Sequence, residues 1–291
     1  MSPARATTLD SNGLRFPALE DGPAEGPVVL CLHGFPDTHP GWFESLDGRP
    51  SFADHFVRAG FRIVAPAMRG CTPETIPADG DYAPATLAAD VVAHASALGG
   101  HVHLVANDWG AFAAYLAVLQ APERFARLVT LGIPHPLSLK PSLSLLWKAR
   151  HFVTFQFQKR AARQMRKDDF AYVDKLYRRW SPTWKFPPAA LTEVKAAYAK
   201  PGVVEGALAP YATMRRDRKL TDAALRNKIM VPTLALGGGD DPSVPSSAYE
   251  AARRGFGSEY RWDLVPHVGH FPQREDSAGT AERVLAFLRS S

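Results

Sequence analysis

Along most of this chain, short apolar runs rich in β-branched residues alternate with longer stretches of helical spacing, and that alternation constrains the fold more than any other feature. Runs at 27–34, 62–70, 101–108, 127–134 and 231–238 read as buried strands. Stretches 86–99 and 110–125 between them have helical periodicity. The final third continues with a helix at 246–256, a strand at 260–266 and a closing helix at 280–290. Strands separated by helices predict a mostly parallel central sheet flanked by helices on both faces, an α/β fold. With 291 residues, the chain is long enough for one such domain carrying an inserted subdomain.

The alternation breaks between residues 136 and 225. That span contains Trp147, Trp180 and Trp184, is interrupted by a Pro-rich turn at 181–188, and reads as several helices. It is also basic: residues 137–225 carry 18 Lys and Arg against 7 Asp and Glu, whereas the whole chain carries 34 against 29. Such asymmetry marks a separate subdomain. Residues 1–136 and 226–291 are therefore assigned to the core, and 137–225 to an inserted helical cap. The most basic run, 159–167, has no accompanying recognition motif and reads as a solvated helix face, so no nucleic-acid partner is expected. No apolar run reaches transmembrane length and no secretory h-region is visible. Cys31 and Cys71 are lone thiols, as in a reducing cytoplasm. The expectation is a cytoplasmic protein without a membrane partner. Oligomeric state is not legible.

In an open parallel sheet, reactive groups gather in the loops at the carboxyl ends of the strands. Here one such loop delivers Asp108-Trp109-Gly110, a second Gly239-Asp240-Asp241-Pro242, and a third His267-Val268-Gly269-His270. A carboxylate at the end of a buried strand is costly unless something satisfies it. A helix N-cap is one use for Asp108; a nucleophile is the other. Nucleophile, acid, histidine is a known triad order for a nucleophile on a sharp strand-to-helix turn, and the small residues such a turn demands are present as Ala106 and Gly110. No G-x-S-x-G occurs anywhere, which leaves a serine hydrolase without its nucleophile. A carboxylate at this position can displace a leaving group from carbon and form an alkyl-enzyme ester. No metal cluster, phosphate-binding loop or dinucleotide fingerprint is present, and the chemistry needs no cofactor beyond water.

With these motifs the chain resembles the epoxide hydrolase and haloalkane dehalogenase branch of the α/β hydrolases, from about residue 10 to 288. An H-G-x-P motif matches at His33 to Pro36, followed by Trp42. The nucleophile elbow matches at Ala106 to Gly110, with Ala106 and Asn107 in place of the more usual Gly and His. The acid motif G-x-x-D matches at Gly238 to Asp241, the G-H base motif at Gly269-His270, and Arg69-Gly70 falls where R-G-x-G is usual. The resemblance implies an α/β-hydrolase fold with a helical cap. It implies Asp108 as nucleophile, the backbone N–H groups of Phe35 and Trp109 as oxyanion hole, and His270 as the base that activates water. The acid that orients His270 is Asp241 by motif register, with Asp240 next door as the alternative. His267 is the weaker base candidate, lacking a preceding Gly. His33, Trp42, Phe152, Phe155 and Trp184 are expected to line a pocket for a small hydrophobic electrophile.

The leaving group is decided by the cap. In the resembling epoxide hydrolases, two cap residues protonate the departing alkoxide. Tyr211, in the segment 206–211, matches the second of them. The first is normally a tyrosine five residues before a glutamine. Counting back from Gln158 gives Val153, which has no proton to donate, and from Gln156 gives His151. Some resembling enzymes pair a histidine with the tyrosine, and His151 with Tyr211 is the coherent option. A haloalkane dehalogenase would instead use Trp109 and a second N–H donor, with Trp147, Trp180 and Trp184 as candidates. The third reading is a ligand-binding α/β-hydrolase fold that has lost its chemistry.

Overall fold

A computed structural model describes residues 4–139 and 150–290 of the chain; Trp147 lies outside the described residues. Eight strands form one sheet: β1 (Arg5–Ser11), β2 (Leu14–Asp21), β3 (Val28–Leu32), β4 (Arg62–Pro66), β5 (Val102–Asn107), β6 (Phe125–Leu131), β7 (Thr233–Gly238) and β8 (Tyr260–Val265), in the order β1-β2-β4-β3-β5-β6-β7-β8. From β4 to β8 every pairing is parallel, as the alternation predicts. The two antiparallel pairings belong to β1 and β2, which the periodicity did not reveal. Their signal is Asn12-Gly13, both at positive φ (47° and 76°), the dipeptide that suits a two-residue hairpin turn.

Period-two alternation divides the strands between two apolar layers. Leu30, Leu32, Leu104 and Ala106 face the layer that holds α2 (Pro84–Ala97) and α3 (Trp109–Gln120). Val29, Cys31, Val105, Val129 and Leu236 face the layer that holds α1 (Phe52–Arg58) and α12 (Ser277–Arg289). Cys31 is thus a small buried hydrophobe. Helix α3 stops at Gln120 rather than running to 125, because Pro122 opens a separate short 3₁₀ turn.

Between β6 and β7 in the chain lie α4 (Arg150–Phe155), α5 (Gln158–Arg166), α6 (Ala171–Trp180), α7 (Thr192–Ala199), α8 (Val203–Arg216) and α9 (Arg218–Leu225). Helix α5 buries Ala161, Ala162 and Met165 and exposes Lys159, Arg160, Arg163 and Arg166, the solvated basic face expected for it. Helix α8 sits on the core through a glycine contact: a Cβ on Gly206 would lie 2.3 Å from the Gly70 carbonyl oxygen. Only a residue without a side chain permits that approach. It brings Tyr211, five residues further along α8, over the carboxyl edge of the sheet. The chain continues with α10 (Ser246–Ala252) and, immediately after His270, α11 (Pro272–Glu275). No helix among the described residues is long and apolar enough to cross a membrane.

Candidate active site

Asp108 joins β5 to α3 with φ 49° and ψ −118°, a conformation that costs free energy in a residue with a Cβ and persists only where the surroundings enforce it. The surroundings are close. A Cβ on Gly110 would meet the carbonyl oxygens of Leu32 and His33 at 2.6 Å, and one on Gly34 would meet the Asp108 Cβ at 2.5 Å. The small-residue requirement read from the sequence is therefore steric. The side chain does not cap α3. It points instead into a constellation of donors, which excludes the plain N-cap use.

The Phe35 N–H donates to Asp108 Oδ1 at 2.8 Å. His270 Nε2 stands 3.3 Å from Asp108 Oδ2, and His270 Nδ1 stands 2.7 Å from Asp241 Oδ2. Asp241 is in turn fixed by Ser243, whose N–H and hydroxyl both donate to Oδ1. The alternative acid, Asp240, makes no contact with the ring; its N–H donates to the Val268 carbonyl at 2.8 Å. His267 is exposed. Trp109 is the first residue of α3, so its N–H is among those with no intrahelical acceptor. The Phe35 ring packs against Tyr211, Phe155, Tyr198 and Trp180, with centroids 5.3–6.5 Å apart, which pins the backbone that carries its N–H.

Burial opposes a charge on His270, but the carboxylates of Asp241 and Asp108 on either side outweigh it and push the imidazole up to about 10. Tyr211 is almost fully buried, and burial together with the Asp108 charge holds its hydroxyl well above the usual range; a hydrogen bond with the Trp109 side chain acts in the opposite direction. The two rings meet edge to face, 5.0 Å between centroids.

Above Asp108 lies a cavity of about 340 Å³ whose walls include Trp109, Phe112, His151, Phe152, Trp180, Met214 and His270. Its wall is apolar and its size suits a small ligand. His151 is buried with its ring 5.0 Å from Trp180 and 6.1 Å from Tyr211. A second cavity shares Phe112, Phe152 and Met214 with the first and adds Tyr211 to its lining. Of the expected pocket residues, Phe152 is on the wall. Phe155 is buried behind it, 4.9 Å from Tyr211.

The other three expected pocket residues stand elsewhere, and each has a packing reason. His33 accepts from the Met68 N–H at 3.0 Å, supporting the loop from behind. Trp42 packs edge to face against Phe52, 5.2 Å away, in the layer on the opposite face of the sheet. Trp184 packs on Tyr177 and Phe186. Apolar character alone does not distinguish a wall residue from a core residue. The wall residues Phe112, Met214, Ile133 and Val244, and Ser243 behind Asp241, were not singled out in the sequence. Only Ser243 had a local signal, as the acceptor-seeking Ser two after an Asp. Among the described residues no group of three or more His, Cys, Asp or Glu side chains is placed to hold a metal ion.

The model of a family described as alpha/beta hydrolase fold matches residues 27–277. The chain is 26% identical over 320 residues to epoxide hydrolase A of Mycobacterium tuberculosis, covering 96% of each chain. To mouse epoxide hydrolase 3 it is 26% identical over 290 residues, covering 97% of this chain and 76% of that one. The crystal structure of epoxide hydrolase A from Mycobacterium thermoresistibile superposes with a TM-score of 0.79 at 23% identity, covering 99% of this chain and 98% of that one. With its parallel sheet, its elbow at Asp108 and this match over most of its length, the chain belongs to the α/β hydrolase fold family.

Proposed function

We propose that this protein hydrolyses epoxides to vicinal diols through an ester on Asp108. The observation that carries the reading is Asp108 itself: a carboxylate at the elbow, 3.3 Å from a histidine that Asp241 orients, beneath a cavity whose wall holds His151 and adjoins Tyr211. The Asp108 carboxylate attacks an epoxide carbon, the C–O bond breaks, and Tyr211 or His151 donates a proton to the alkoxide. Formation of the ester removes the Asp108 charge that helps to keep His270 protonated, so the imidazolium returns a proton to the donor that lost one, Tyr211 or His151, and the neutral imidazole can act as a base. It takes a proton from water, whose oxygen attacks the ester carbonyl. The Phe35 and Trp109 N–H groups hold the oxyanion, and collapse releases the diol and restores Asp108. In this reading the insertion 137–225 is a cap over the nucleophile, and the relatives named as epoxide hydrolases support the choice of substrate.

A second reading, hydrolytic carbon–halogen cleavage, has one observation of its own. The indole N–H of Trp180, a wall residue of the cavity, is buried with no hydrogen-bond partner among the described residues, as a halide donor would be. The test is trapping. In His270→Gln the ester forms on Asp108 and hydrolyses slowly. Intact mass and peptide mapping after exposure to an aryl epoxide should show Asp108 carrying every atom of the epoxide. An alkyl adduct from a bromoalkane with bromide lost, and none from the epoxide, would favour the dehalogenase. No adduct from either, or from a wider panel, would point to a non-catalytic ligand-binding protein.

A further inference from the structure

The hydrogen bonds that fix the backbone around His270 come from outside its own loop. The His270 N–H is shared between the Trp180 carbonyl oxygen at 3.1 Å and Ser181 Oγ at 3.0 Å, both on the insertion. Ser181 is completely buried, and its hydroxyl donates to Glu275 Oε1 at 2.6 Å. The same carboxylate accepts the Phe271 N–H at 2.9 Å on Oε1 and the Gly269 N–H at 2.8 Å on Oε2. Three successive backbone N–H groups, those of Gly269, His270 and Phe271, are thus held by Glu275, Ser181 and Trp180. The contact is tight, for a Cβ on Gly269 would lie 2.4 Å from the Ser181 Cα. The triad roles assign nothing to Glu275 or Ser181.

We propose that Ser181 and Glu275 are positioning residues for His270: they hold its backbone in the register that the water-activating step needs, so that seating of the insertion and readiness of the base are one structural event. The inference rests on the two-step reading above. The two half-reactions make unequal demands on His270. During attack by Asp108 it serves as a neighbouring positive charge, which tolerates small displacement. During ester hydrolysis it must lie within hydrogen-bond reach of a water, about 2.6–3.2 Å, and a shift of a few tenths of an ångström matters.

Ser181→Ala removes one hydroxyl, and Glu275→Gln keeps the shape while replacing one acceptor oxygen with a donor. Rapid-quench kinetics on both variants, with the aryl epoxide that labels Asp108 in His270→Gln, separates ester formation from ester hydrolysis. We expect formation to stay within about twofold of wild type and hydrolysis to slow roughly tenfold or more, so that the ester accumulates in the variant. Glu275→Gln disturbs a buried carboxylate; should it fail to fold, Ser181→Ala alone decides. Equal slowing of both steps, as general loosening of the fold would give, overturns the proposal, as does an unchanged hydrolysis rate in Ser181→Ala. Failure of every epoxide to label Asp108 in His270→Gln overturns the two-step reading and this inference with it. That result is distinct from one in which the ester forms and its lifetime does not change.

Discussion

Asn107 and His270, 163 positions apart, are joined by a hydrogen bond: Asn107 Nδ2 donates to the His270 carbonyl oxygen at 3.1 Å, and also to the Leu131 carbonyl at 3.1 Å. One fully buried amide therefore fastens the turn at Asp108 to the loop that carries His270 and to the end of the neighbouring strand. Removing it strips the His270 carbonyl of its donor and leaves the Leu131 carbonyl with only the Asp108 N–H, at 3.2 Å. Asn107→Ala should lose about 1–3 kcal/mol of stability, measured by urea denaturation, and should lose activity beyond what unfolding accounts for. A variant as stable as wild type would show that solvent or a neighbour replaces the amide.

The close approach of Gly34 to Asp108 makes a sharper prediction. A Cβ there would stand 2.5 Å from Asp108 Cβ and 2.6 Å from Oδ1, so Gly34→Ala must displace the reactive carboxylate or the Phe35 N–H that holds it. Epoxide turnover should fall by roughly 100-fold with the circular dichroism spectrum unchanged. Full activity in this variant would mean that the loop yields without moving Asp108.

Tyr211→Phe removes the proton that we assign to the leaving alkoxide. Ester formation on Asp108 should slow by about 10²-fold or more, whereas ester hydrolysis should be little changed. Replacing His151 in the Tyr211→Phe background tests whether the imidazole supplies the residual proton. An unaffected first step in the double variant would remove both residues from the chemistry.

Protonation of His270 also links stability to pH. Burial lowers the affinity of the imidazole for a proton, but Asp241 and Asp108 raise it to about 10 from an ordinary 6.5. A group whose folded value is raised contributes its full stabilisation below the unfolded value and loses it as pH climbs through the folded one. The stability difference between wild type and His270→Gln should therefore be constant below about pH 6.5 and shrink toward pH 10, at up to about 1.4 kcal/mol per pH unit. Denaturation series from pH 6 to pH 10 would measure it, and a difference that does not vary across that window contradicts the assignment.

Arg274 offers a structural test that does not involve the chemistry. Its fully buried guanidinium bonds Asp37 at 2.9 Å, Tyr177 Oη at 3.1 Å, the Ala190 carbonyl at 2.6 Å, and Glu44. Tyr177 and Ala190 belong to the insertion, so this side chain ties it to the loop after β3. Arg274→Met would strand two carboxylates, and should cost about 3–5 kcal/mol by chemical denaturation. A loss under about 1 kcal/mol would mean that water reaches the vacated site.

The sheet and the sharp turn at Asp108 were legible in the sequence because both are written locally. A run such as 101–108 states its own burial, and Ala106, Asp108 and Gly110 state the turn, since crowding at a strand-to-helix elbow acts on adjacent residues. The β1–β2 hairpin was equally local, marked by Asn12-Gly13, but β1 is largely exposed and β2 alternates through Phe16, Ala18 and Glu20 with Pro17 among them, so apolar periodicity passed over both.

What tertiary structure alone decided is everything that depends on which distant segment faces which. Register could not separate Asp241 from Asp240; only the path of the loop put Asp241 Oδ2 2.7 Å from His270. Composition marked Trp42 and Trp184 as aromatic and could not say that both serve packing, while Met214 and Phe112, unremarkable in sequence, form the cavity wall. Nor could any local pattern join Ser181 to Glu275 across 94 positions. Hydrophobic periodicity is a property of neighbours in the chain. A binding site is a property of neighbours in space, and residues 137–225 supply five of the fourteen that line the cavity above Asp108.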